Sequence, residues 1–259
     1  MSPSNTMNPS RADLLTRARR LSVAALKANL APGLLLQSLM VMIALGYLLH
    51  PGVRGVLEHL ALMKGRLGLI FSFLGTASAS AILPELLSPL LPGSRSRPAK
   101  GMAGRLLFAF PFWGLIGVQV DLFYRLQYLL FGPSDSLSVI ASKVAVDALL
   151  YCPLLAIPQA VSVFLWKDHG YSFGCFRRRS FGEFYALQIF PVLMANWIVW
   201  IPVVCVIYSL PPALGIPLFI IAQSFWVMVF TTLSADRKSS PGHARPGRTE
   251  DCHFPSLGD

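Results

Sequence analysis

Six stretches of this chain, residues 33–49, 67–83, 106–120, 148–166, 184–210 and 213–235, are strongly apolar and nearly free of charge. Most approach the ~20 residues that a helix needs to cross the hydrocarbon of a bilayer. Helices facing lipid are apolar all round and bond their own backbone groups. The pattern therefore predicts an all-α fold: a polytopic transmembrane helix bundle of about six apolar helices. The second stretch is the least apolar, because residues 75–81 alternate small and polar side chains. Gly75 and Ala79 form a small-xxx-small pair suited to close helix packing.

Composition agrees. Hydrophobic residues make up 54% of the 259 and charged residues 13%, too little polar surface for a water-soluble domain of this length. One bundle accounts for the chain, and no second domain is expected. The formal charge of +10 does not indicate nucleic acid, because the basic residues flank the apolar stretches, where headgroups and membrane topology place them.

With six spans, 17 of the 22 Lys and Arg fall on one side of the membrane and three, Arg54, Lys64 and Arg66, on the other. Arg125 and Lys143 lie at helix ends or inside. The asymmetry predicts that both termini are on the cytoplasmic or equivalent inner side. That membrane is the cytoplasmic one in a bacterium, or a mitochondrial inner or peroxisomal one in a eukaryote.

Outside the bundle (31–235), residues 1–30 form a basic amphipathic segment. Leu14, Leu15, Ala18, Leu21, Ala25 and Leu26 make a helical stripe among its arginines. An interfacial helix has this pattern, and so does a mitochondrial presequence. Pro84, Pro89 and Pro92 predict the end of the second span and a loop to Lys100. Residues 236–259 read as a disordered polar tail.

Few polar residues interrupt the spans. Asp121 and Arg125 are spaced i, i+4 and can pair near a membrane edge. Lys143 and Asp147 share a face of the fourth segment, with Asp147 two to three turns inside its start at Leu137. A bare carboxylate there costs about 2.5–3.5 kcal/mol, so it needs a partner, a water-filled cavity or a proton. Lys143 can pair with it or snorkel to the interface. Pro153 and Pro158 should kink this helix. Asn196 can bond across helices, and Pro211-Pro212 enforces a turn before the last span. Gly114 and Gly117 permit close approach. Cys152, Cys175, Cys205 and Cys252 lack metal or redox spacing, and the buried ones read as small hydrophobes. The five histidines are isolated, so an enzyme is not expected, nor a metal or cofactor.

Taken together, Gly114-x-x-Gly117 followed by Tyr124, Lys143-x-x-x-Asp147 with Pro153, and Trp200, Pro211, Trp226 and Leu233-Ser234 resemble the Mpv-seventeen/PMP-twenty-two family of mitochondrial inner-membrane and peroxisomal membrane proteins. The resemblance spans about residues 67–235. It is that of a divergent member: Gly117-Val118 stands where the family usually has Gly-Pro, Trp200-Ile201-Pro202 where it has Trp-Pro, and 33–49 is an additional apolar stretch. The resemblance implies an integral membrane protein, in some members channel-like and passing small solutes.

Two functions follow as expectations. In a channel or carrier for small, anionic solutes, Ser78, Ser80, Gln119, Lys143, Asp147 and Asn196 would line the passage, and Arg177, Arg178 and Arg179 would gather anions or contact headgroups at its mouth. Alternatively the chain is a structural or interaction protein of the membrane, since glycine faces and aromatic belts serve assembly equally well. Lipid is the expected partner, and a homo-oligomer is compatible with either.

Overall fold

The computed structural model describes residues 11–87, 101–177 and 180–239, and the side chains of all of these except Arg11, Cys175, Arg177 and 229–239. These residues are helices and turns with no strand. The long helices are α1 (Arg11–Leu49), α2 (Pro51–Leu67), α3 (Leu69–Leu87), α4 (Met102–Phe131), α5 (Leu137–Asp168), α6 (Phe181–Tyr208) and α7 (Gly215–Ser239). Five of them, α1, α3, α4, α5 and α6, are long and apolar enough to cross a membrane. The sixth apolar stretch is shorter, Pro212–Met228. The chain is thus an integral membrane protein of all-α class.

Packing follows the glycines and the apolar faces. α1 lies along α6, where Gly33 lets Val199 approach; Leu36, Met40, Val199 and Val203 are fully buried between them. α3 lies along α4. A Cβ on Gly114 would come within 2.5 Å of the Phe73 ring, and one on Gly117 would collide with the Ser72 carbonyl and the Thr76 hydroxyl. Gly75 sits against Ile220 of α7, and Ala79 is buried.

Successive spans from α3 to α6 run antiparallel, as the contacts Ser72–Asp121 and Glu85–Arg105, Gln127–Lys143 and Gln119–Tyr151, and Asp147–Tyr208 and Pro153–Tyr185 require. At one end of the bundle, Lys64 of α2 reaches Asp121 near the end of α4, and Pro133 and Pro212, in the turns after α4 and α6, lie alongside. Sixteen residues back along α4 from Asp121, about 24 Å at ~1.5 Å per residue, Arg105 forms a fork on Glu85 at the end of α3 (2.9 and 2.7 Å). There too the Lys167 ammonium lies over the Phe108 ring.

Three boundaries differ from the sequence expectation. Residues 11–30 are not a separate interfacial helix: α1 runs unbroken through Pro32. An amphipathic helix occurs instead at α2, with Pro51 at its first position and the His50 side chain accepting from the Val53 amide. α3 does not end at Pro84 but continues to Leu87, and α7 runs past residue 235 to Ser239. The remainder of the 84–100 loop and of the tail lies outside the described residues.

The prolines explain much of the interhelical bonding. A proline donates no N–H, so one carbonyl on the preceding turn is freed. Freed carbonyls in a span must find another donor. Pro202 of α6 frees the Ile198 carbonyl, which accepts from Gln37 Nε2 of α1 at 2.7 Å. In α5, residues Asp147–Ala156 adopt π register, with the Ile157 amide bonding the Cys152 carbonyl. In that register Pro153 frees the Ala148 carbonyl and Pro158 frees that of Pro153. The first accepts from the Trp197 indole (2.8 Å), the second from the Tyr185 hydroxyl (3.1 Å), both on α6. The expected kink is therefore a widened helix whose loose carbonyls bind it to its neighbour. Gln37→Leu should destabilise the protein by about 1–2 kcal/mol, the cost of an unsatisfied carbonyl. In a Pro202→Ala background the new amide can serve Ile198, and the cost should largely vanish. A double-mutant cycle on thermal unfolding in detergent checks this coupling.

Candidate functional site

The buried polar groups form a connected chain where α5 faces α6. Asp147 opens the π stretch of α5 and is buried. Tyr208, at the end of α6, donates its hydroxyl to Asp147 Oδ2 at 3.0 Å. The Cys152 thiol faces Oδ1 at 3.4 Å, and Asn196 Nδ2 donates to Cys152 Sγ at 3.5 Å. On an adjoining side of the same stretch, Gln119 Nε2 of α4 donates to the Tyr151 hydroxyl at 2.9 Å, and the Tyr151 ring stacks on Phe123 at 4.1 Å between centroids. Three of the residues expected to line a passage, Gln119, Asp147 and Asn196, thus converge on one stretch of α5.

Lys143 does not join them. Although it is one turn from Asp147, no ion pair between the two occurs among the described residues. Lys143 is fully buried, donates from Nζ to the Gly132 carbonyl at 2.7 Å, and lies over the Tyr128 ring at 4.0 Å. The reason is the end of α4. Gly132 terminates that helix at φ 76°, which leaves its carbonyl open to a strong donor. Gln127 Nε2 meanwhile holds the Lys143 carbonyl at 2.9 Å.

Ser78 and Ser80 also lie elsewhere, in a π turn of α3 (Ser78–Ile82) that packs on α4 and α7. Ser78 is exposed, and the Ser80 hydroxyl is buried without a partner among the described residues. The Arg177 side chain, Arg178 and Arg179 are outside the described residues. Among the motif residues, Gly114 and Gly117 are packing positions, and Tyr124 is buried with its ring edge-on to Tyr208 at 5.4 Å. Pro153 lies within the π stretch. Trp200 packs on Phe219, Trp226 is partly buried on the main core, and Pro211 accepts from the Leu214 amide in the turn before α7.

Two features were not expected from the sequence. One is Cys152, taken there as a small hydrophobe but placed between Asp147 and Asn196. Five residues along an α-helix separate side chains by about 140°. A π turn closes over about five residues and puts positions 147 and 152 together. The other is Lys64. The expected Asp121–Arg125 pair forms (3.0 Å), but Asp121 also holds Lys64 Nζ at 2.8 Å and the Ser72 hydroxyl at 2.5 Å. Beside this cluster a recess of about 710 Å³ opens, walled by Tyr124 and Tyr128 and by the turns after α4 and α6.

Among the described residues no group of His, Cys, Asp and Glu is placed to hold a metal ion. No protein-family model, curated protein or solved structure matches the chain.

Proposed function

We propose that this integral membrane protein is a channel-like or carrier protein for small solutes, as its resemblance to the Mpv-seventeen/PMP-twenty-two family implies, with both termini on the inner side. The observation that carries this reading is the environment of Asp147. A carboxylate about 15 Å along a span, at ~1.5 Å per residue, is bonded by one hydroxyl and one thiol, with no cation among its described partners. An ionisable group inside a bundle is costly to bury and is by default a candidate functional group. The Tyr124–Tyr208 pair joins the Asp147 chain to the recess at the end of the bundle, because Tyr124 walls that recess while Tyr208 holds the carboxylate.

A specific observation favours the second reading, a structural membrane protein without transport. Asp147, Asn196 and Gln119 each have an internal hydrogen-bond partner, so the same groups can serve as glue between helices. Reconstitution in liposomes separates the two. The transport reading predicts efflux of small entrapped solutes above that of protein-free vesicles. Efflux equal to that of empty vesicles for every solute tested, from a folded preparation, selects the structural reading.

A further inference from the structure

We infer that the recess beside Asp121 is a binding site for an anionic amphiphile: an oxyanion head held by Arg125 and Lys64, with an apolar body along the turns. The charge count comes first. Two cations surround one carboxylate, so the cluster keeps a net positive charge, and the buried Lys143 behind the Tyr128 ring adds to the local positive potential.

The hydrogen-bond count points the same way. Both Asp121 oxygens are occupied, Oδ2 by Ser72 and Lys64, Oδ1 by Arg125 Nε. Each cation uses one N–H on that carboxylate. The terminal guanidinium nitrogens of Arg125 remain, on a side chain 52% exposed, as do two protons of Lys64. Tyr128, in the wall of the recess, has a buried hydroxyl with no partner among the described residues. The unused charged capacity of the site is therefore on the cations, and a guanidinium fork with an ammonium beside it suits a phosphate or carboxylate head.

The rest of the wall selects for something larger than an inorganic ion. Leu129, Pro133, Ala213 and Ile216 line the recess without a polar side chain. The recess is an open one of about 710 Å³, with room for a head group and part of an apolar body. The head-group chemistry is shared by a membrane lipid with a phosphate monoester head and by a free alkyl phosphate. The site does not depend on transport: an anion bound here could regulate, anchor or precede passage.

The test uses the full chain. In nonionic detergent it is titrated calorimetrically with hexyl phosphate. In a parallel arm, nanodiscs of phosphatidylcholine with and without phosphatidic acid are titrated with the same compound, so that bound phosphatidic acid appears as lost hexyl phosphate binding. Saturable binding in detergent that persists in phosphatidic acid nanodiscs assigns the site to a free amphiphile. Binding that phosphatidic acid blocks assigns it to a lipid. Arg125→Gln, at an exposed side chain, should weaken hexyl phosphate at least about tenfold, as expected for loss of a charge-assisted bond. Tyr128→Phe should weaken it about fivefold without loss of thermal stability, since its hydroxyl has no partner to lose among the described residues. No saturable binding by the wild-type chain overturns the inference. So does unchanged affinity in folded Arg125→Gln, or, if that variant does not fold, in Tyr128→Phe.

Discussion

Asp121→Ala should destabilise the protein by about 3–5 kcal/mol, the usual cost of breaking a buried ion pair by removing one partner. The expectation rests on burial. Asp121 is 3% exposed and the Lys64 side chain 12%, so the substitution leaves a largely buried ammonium at the edge of the recess without its counter-charge. It also strips the Ser72 hydroxyl of its acceptor. Arg125, half exposed, loses little, because water replaces the carboxylate. The three residues come from α2, α3 and α4, so the cluster fixes the end of α2 against the bundle. Removing both charges should be far milder: Lys64→Met with Asp121→Leu keeps the volume and removes the desolvation cost with the pair. Thermal unfolding in detergent measures both. Asp121→Ala unfolding with the wild-type midpoint would remove the cluster from the account of stability.

The second large effect is at Gly117. In an exposed helix, Gly→Ala stabilises by up to about 1 kcal/mol. Gly117→Ala should do the opposite, costing about 1–3 kcal/mol. Its methyl group would meet the Ser72 carbonyl, which belongs to backbone and cannot swing aside, so α3 and α4 must separate. Gly104, on the same helix, supplies the comparison. Nothing lies within 4 Å of a Cβ there, and Gly104→Ala should be neutral or stabilising. Opposite signs for the two substitutions in the same unfolding assay support the close α3–α4 contact. Equal signs would mean that the helices are not in contact at Gly117.

The spans were legible because lipid imposes a requirement on every residue of a crossing helix, and twenty apolar positions in a row are hard to miss. The contact at Gly114 and Gly117 was legible for a related reason: where water supplies no drive, small residues mark where helices touch. α2 was not legible. It is amphipathic rather than apolar all round, so it does not read as a span, and its charges, Arg54, Glu58, Lys64 and Arg66, read as a loop. The site was half legible. Asp147 stood out by the cost of its burial, and Asn196 and Gln119 by their polarity in apolar runs. Lys143 went astray because spacing along one helix says nothing of a distant acceptor, here the open carbonyl of Gly132. Cys152 escaped because α register puts it on another face from Asp147, and Lys64 and Tyr208 because each bonds a carboxylate on a different helix, far along the chain. Pro153 and Pro158 did signal a disturbance of α5, but a sequence shows only that amides are missing, not that the helix widens by one residue to accommodate them. Nor could it show that Trp197 and Tyr185 would take the freed carbonyls.

The measurement that tests the central claim most directly is solute efflux from liposomes holding the wild-type chain or Asp147→Asn. An asparagine keeps an acceptor oxygen for Tyr208, removes the charge and turns an N–H toward the Cys152 sulfur, which can accept it, so the bundle should fold and unfold much as the wild type does. If the Asp147 chain belongs to a passage, wild-type efflux of small solutes exceeds that of empty vesicles and Asp147→Asn changes its rate or its charge selectivity. Equal efflux and selectivity in the two folded proteins would contradict the assignment of this carboxylate to a solute path.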